Sequence, residues 1–350
     1  MIPIRHPLRH LARAALATLA LALPAAAQTA APAAAPTAAP AAAPAAEQPV
    51  LKVGTLENGT VSWELETIKA RGLDTANGFK LETLPLAGNP ATQVAMQGGE
   101  VDSIVSDLLW VAQQRGAGSD FVFLPYSTSV GGLMVAKDSP VQTLADLKGK
   151  QVGIAGGPVD KSWLILRAWS MRPDSPTGGE DIGKATTQVF GAPPMIMNAL
   201  ETGEVAAALN FWHFQAKMMA GGARQILDVN DAAKDLGLDP ATPLLGYVLR
   251  ESWIKDHPDA AKGLAKASAE AKRILATDDA AWEALRPIMN AKDDAQFAAL
   301  RDGWRAGIPK SQKVDAAAAQ KMFGVMAELG GDELTGGLKE LPAGLFWSGE

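Results

Sequence analysis

The chain has 350 residues, a net charge of −6 and no cysteine, with 47% hydrophobic and 20% charged residues. The missing thiols exclude disulfides, thiol catalysis and thiolate metal sites, and the negative balance argues against nucleic acid or an anionic membrane surface as a partner. Nine Trp against two Tyr is the unusual feature, and rings of that size belong mostly in a core.

Arg5, Arg9 and Arg13 precede an apolar stretch over residues 14–23, and Ala25-Ala26-Ala27 follow. That is the pattern of a secretory signal, with cleavage expected after Ala27. The apolar run is well short of the roughly 20 residues a spanning helix needs. No Cys follows it, so the exported chain is expected free in the periplasm, without a lipid anchor. Residues 28–49 are almost only Ala and Pro and predict a semi-stiff, extended linker. The remainder is too long for one typical compact core and suits two lobes.

The folded part opens with a strand over 51–55 and a helix over 61–70, with Thr60 or Ser62 as N-cap. Alternation predicts a second strand over 80–86. Asn89 then caps a short helix begun by Pro90, residues 101–105 form a third strand, 108–114 a helix, and 121–124 a fourth strand ending at Tyr126-Ser127. This β-α-β-α order implies a mostly parallel sheet with right-handed crossovers. Gly131-Gly132 lead into an apolar strand, a natural place for the chain to pass to a second lobe. There the segment 151–169 reads as strand, Gly156-Gly157-Pro158 turn and helix, followed by a strand over 186–190, the helix of Pro194 and a strand over 205–209. A return strand is expected over 243–249, and four amphipathic helices over 258–276, 279–289, 295–306 and 314–329 are expected to pack on the first lobe. The lobes are thus read as residues 50–132, 133–242 and, back in the first, 243–350.

Two internal echoes support two similar α/β halves. The strand-turn-helix start at Val53 recurs loosely 99 positions on at Val152, and the stretch from Pro90 to Val101 matches that from Pro194 to Val205, 104 positions apart. In such units the free N–H groups of a helix's first turn lie beside the strand's carboxyl end, where small polar ligands are commonly held. The strand ends expected to face an inter-lobe cleft carry Glu57, Asn58, Thr60, Asn89, Ser106, Asp107, Tyr126, Gly157, Asp160, Ser162, Asn210, Trp212 and His213. Their mixture of amides, hydroxyls, few cations and aromatics suits a small organic solute, while helix N-termini at Ser62, Asn89 and Ser162 leave an oxyanion open. Bland alternatives stand beside them: Asp160 as a helix cap, Glu57 in a solvated turn, Trp63 and Trp163 as core, and His213 as a structural residue.

The segments LKVG at 51–54, TLADLKGKQVGIAGG at 143–157, MNALETGEVAAALNFW at 197–212 and YVLRESWIKDHPDAAKGLAKA at 247–267 carry a resemblance. Together they resemble the nitrate/sulfonate/taurine branch of the periplasmic solute-binding proteins of ABC importers, over most of the chain after residue 50. The resemblance implies a bilobal, type II Venus-flytrap fold closing over one small solute, sulfonate- or taurine-like or related, with a membrane permease as partner, no cofactor, no catalysis and a monomeric state. Phe211-Trp212-His213-Phe214 depart from the Trp-x-Pro segment that members often show there. Two further roles fit the same fold: a periplasmic accessory or sensor protein, and an enzyme like the pyrimidine-precursor synthases of thiamine biosynthesis. Against the enzyme, the sequence has no metalloprotease, hydrolase-elbow, phosphate-loop or dinucleotide fingerprint.

Overall fold

A computed structural model of the chain describes residues 47–349; the expected export signal and most of the Ala/Pro tract lie outside the described residues. The fold begins slightly earlier than the composition suggests, because Gln48 Nε2 donates to the Thr75 carbonyl and the Pro49 carbonyl accepts from Lys80 N.

The first half runs β1 (Val50–Leu56), α1 (Val61–Ala70), α2 (Leu73–Ala76), β2 (Lys80–Leu86), α3 (Asn89–Gln97), β3 (Ser103–Asp107), α4 (Leu108–Gly116) and β4 (Phe121–Ser127). The second runs β5 (Gly132–Val135), β6 (Gln151–Ala155), α5 (Lys161–Ser170), α6 (Ile182–Ala185), β7 (Thr187–Gly191), α7 (Pro193–Glu201), β8 (Ala207–Asn210), α8 (Trp212–Ala220), β9 (Arg224–Asp228) and α9 (Val229–Asp235). The chain returns through β10 (Leu245–Arg250) and ends in α10 (Glu251–Asp256), α11 (Pro258–Thr277), α12 (Asp279–Met289), α13 (Asp294–Ala306) and α14 (Ala316–Thr335).

Two five-stranded sheets result, ordered β2-β1-β3-β10-β4 and β7-β6-β8-β5-β9. In each, three neighbouring strands are parallel and the fourth runs antiparallel to both its neighbours. That reversed strand is the one by which the chain has just arrived from the other sheet. The molecule is therefore a bilobal α/β protein with two crossover strands, one sheet to each lobe.

The internal echoes occupy equivalent places. Val53 pairs with Ser103 and Gly54 with Ile104, as Val152 pairs with Ala207 and Gly153 with Ala208. The two glycines meet the same need. A Cβ on Gly54 would lie 3.1 Å from Ile104 Cγ2 and 3.4 Å from Val101 Cγ2, and one on Gly153 would lie 3.1 Å from Ile196 Cγ2 and 3.3 Å from Val205 Cγ2. A side chain there would wedge the following helix and strand off the sheet.

Each sheet buries its own apolar face. Leu51, Val53, Leu65, Ile68, Phe79 and Tyr247 pack under α1 and α11 in the first lobe, whereas Val152, Ile154, Leu164, Leu166 and Leu209 form the second core. The C-terminal helices depart from the expectation that they cover the first lobe alone. Helix α14 lies against both α4 and α5, with Met322, Phe323 and Met326 in the same cluster as Leu164, and α13 lies against α8. The one apolar stripe of α14 divides along its length, with Ala319 in a first-lobe cluster beside Val111 and Met322, Phe323 and Met326 in the second-lobe core.

Candidate inter-lobe binding site

The carboxyl ends of the parallel strands face one another across a cavity of about 210 Å³. From the first lobe it is lined by the turn after β1 (Leu56, Gly59, Thr60, Val61), the first turn of α3 (Asn89, Thr92) and the end of β3 (Val105, Ser106, Asp107). The second contributes Asp160, Lys161 and Ser162 at the start of α5, and Phe211, Trp212 and His213 at the start of α8. Ser129, Val130 and Gly131 from one crossing and Leu244 and Leu245 from the other close it.

Local sequence explains how these groups are aimed. Gly156 and Gly157 take φ values of 90° and 94°, which other residues rarely adopt, so the chain can turn sharply from β6 into α5. Asp160 then caps α5, its Oδ1 accepting from Trp163 N at 3.1 Å. Asp107 does the same for α4, accepting from Trp110 N at 2.9 Å, while its second oxygen receives Lys161 Nζ at 3.1 Å. This ion pair joins the lobes. Burial alone would lower the Lys161 ammonium, but the charges of Asp107 and then Asp160 outweigh it and hold the lysine raised. Burial raises Asp160, against the opposing pull of Lys161 and two backbone N–H groups.

The aromatic side is equally specific. Trp212 stands edge-on to Trp63 at 6.2 Å and 88°, and its ring lies over Gly303 of α13, where a Cβ would come within 2.9 Å. It therefore spans both lobes as well as lining the cavity. His213 sits against Phe211 and Phe214, and its buried Nδ1 has no hydrogen-bond partner among the described residues. Burial, helped by the charge of Lys217, pushes the imidazole down to about 4, so it is neutral at neutral pH.

A family model described as NMT1/THI5 like matches residues 69–280, more than half of the chain. The chain belongs to that family. Among solved structures, the periplasmic aliphatic sulphonate binding protein SsuA from Escherichia coli is similar with a TM-score of 0.68 and 18% identity, over 86% of this chain and 92% of that one. The alkanesulfonate-binding protein SsuA from Xanthomonas axonopodis pv. citri, bound to MOPS, gives 0.65 and 17% over 87% and 99%, and the periplasmic nitrate-binding protein NrtA from Synechocystis PCC 6803 gives 0.54 and 17% over 73% and 70%. The shared fold is that of periplasmic solute-binding proteins. No curated protein matches the sequence.

In this NMT1/THI5-like chain, eight of the residues expected at the cleft line the cavity: Thr60, Asn89, Ser106, Asp107, Asp160, Ser162, Trp212 and His213. Five do not. Glu57 is exposed in its turn, and Asn58 is exposed with its carbonyl oxygen accepting from Asn290 Nδ2. Gly157 shapes the turn without reaching the cavity, and Asn210 is committed to the Phe211 N–H and the Pro193 carbonyl. Tyr126 lies one layer behind, its hydroxyl donating weakly to the Thr60 carbonyl at 3.4 Å and accepting from Trp304 Nε1.

Behind Tyr126 is a network with no sequence signal of its own. Glu64, fully buried, accepts from Tyr247 Oη, Ser268 Oγ and Lys272 Nζ, and the Lys272 ammonium stands 4.6 Å from the Tyr126 ring centroid. Burial lowers Lys272 despite Glu64. The network braces the wall rather than facing the cavity.

Proposed function

We propose that the chain is the periplasmic solute-binding component of an ABC importer, exported by its N-terminal signal, which captures one small organic solute between its lobes and delivers it to a membrane permease. It acts as a monomer, free of a lipid anchor, without cofactor or chemical turnover. The observation that carries this reading is a cavity lined from both sheets. A solute touching both lobes favours the closed arrangement over the open one, and only such a difference in affinity can shift the balance. Hinge closure around a ligand is the motion known for periplasmic binding proteins.

An enzyme on the same fold is the weaker reading. A general base works best with a pKa near the working pH, and the cavity's one imidazole is pushed down to about 4. The resemblance extends the solute to sulfonates, taurine or related molecules. The test is native mass spectrometry of the protein purified from its own periplasm, then small-angle scattering with and without the molecule found. A bound small molecule and a more compact form in its presence are expected. A tightly bound solute that leaves the scattering profile unchanged at saturation sinks the closure reading.

A further inference from the structure

Around the cavity the charged groups satisfy one another and the neutral ones are left over. Lys161 is the one Lys or Arg among the lining residues described, and Asp107 holds it at 3.1 Å. Asp107 uses its other oxygen to cap α4, and Asp160 uses one to cap α5 while the second sits against Gly156. By contrast, among the described residues Asn89, Ser129, Ser162 and His213 line the cavity, and their side chains make no hydrogen bond. The first turns of α1 and α3 carry no side-chain cap, which leaves backbone N–H groups for an oxygen to accept from.

A charged solute would be badly served here. An oxyanion would meet two carboxylates and no uncommitted cation, and an ammonium would meet a lysine beside carboxylates already engaged. An ammonium would have to draw Asp107 away from Lys161 to be compensated, leaving one buried charge unpaired, and an oxyanion would have only the uncapped first turns of α1 and α3 to hold it beside those carboxylates. An uncharged solute leaves the pair intact. The remaining walls, Leu56, Val61, Val105, Val130, Phe211 and Leu245, are apolar. A cavity of roughly 150 Å³ with such a lining holds benzene, so about 210 Å³ suits a ring with a short substituent.

We infer that the solute is an uncharged organic molecule about the size of one substituted ring, anchored through a single hydroxyl or carbonyl by His213 and enclosed by the apolar walls. This rests on the binding-protein reading above and separates the chain from its sulfonate- and nitrate-binding structural neighbours. His213 Nδ1 is shut away from the cavity, which leaves Nε2 for the solute, and a hydroxyl can meet that nitrogen in either tautomer.

The experiment titrates benzyl alcohol, benzylamine and phenylmethanesulfonate, near-isosteric probes of three charges, into the full protein at pH 7, followed by calorimetry and tryptophan fluorescence. Benzyl alcohol is expected to bind at least about tenfold more tightly than either charged probe, and His213→Ala to weaken it by about tenfold. If that variant loses its cooperative melt, Ser162→Ala replaces it, with an expected weakening of about fivefold. Tighter binding of the sulfonate or the amine overturns the inference and leaves the binding-protein reading standing. If none of the three binds, the co-purified molecule decides. An uncharged one supports the inference, a charged one overturns it, and the absence of any bound molecule counts against both readings.

Discussion

The Asp107–Lys161 pair is the contact most directly open to test, because it ties α4 of one lobe to α5 of the other. Asp107→Asn removes the charge while the Asn carbonyl can still accept from Trp110 N, so the helix cap survives. At 3.1 Å the gross attraction is about 5 kcal/mol for an effective dielectric of about 20. Both side chains are largely withdrawn from water, at 26% and 18% exposure, and their desolvation cancels most of that. A net contribution of about 1–2 kcal/mol to the closed form remains, which is roughly 5–30-fold in the ratio of closed to open molecules. The chain has no cysteine, so cysteines placed at the exposed Glu82 of β2 and Thr187 of β7 are unique sites for a pair of spin labels. Asp107→Asn and Lys161→Met should each raise the open population by that factor in the unliganded protein, and the double variant should go no further than either single one. Unchanged label distances, or fully additive effects, would refute the claim that this pair holds the lobes together.

Three further outcomes follow from named contacts. Gly303→Ala places a methyl 2.9 Å from the Trp212 ring, so solute affinity should fall by about tenfold in calorimetry while the melting temperature holds, since Ala favours a helix over Gly by about 1 kcal/mol. Glu64→Gln leaves the Lys272 ammonium buried without its counter-charge and should cost about 3–5 kcal/mol in urea unfolding. His213, pushed from 6.5 to about 4 in the folded chain, binds fewer protons there than when unfolded. Its contribution should therefore be lost as pH falls from about 6.5 to 4, by about 3 kcal/mol, and stay flat below. The slope should shrink in His213→Gln, and an identical slope in the variant would assign it to other groups.

Where local rules decide, the sequence was readable. The helices over 61–70 and 279–289 and the strand over 80–86 end where glycine turns, caps and alternation place them. Strand β9 and helix α8 were not legible. The edge strand Arg224–Asp228 is half-buried throughout and shows no alternation, while Phe211-Trp212-His213-Phe214 continues the apolar run of β8 and hides the helix start. The cavity was legible only as a set of strand ends. Nothing local says that Asp107 would meet Lys161, that Asn210 would turn back on its own backbone, or that His213 would be left without a partner, since each depends on residues far away in the chain.

The repeat makes the asymmetry of the site visible. Helices α3 and α7, and α4 and α8, begin and end 104 positions apart, and α1 and α5 differ by 100 because the second turn is one residue longer. Ser62-Trp63 and Ser162-Trp163 even share identity, with both Trp rings in the core. The scaffold is therefore duplicated, and the chemistry is not. Asp107 in the first half corresponds to Phe211 in the second, and Val61 to Lys161, and all four line the cavity. One diagonal across the cleft is thus an ion pair, closed upon itself, and the other is apolar. A symmetric pair of half-sites would have presented the same face twice. On the proposed reading, this arrangement offers a solute an apolar side to lie on and leaves its polar group for His213, which would fix the direction in which it binds.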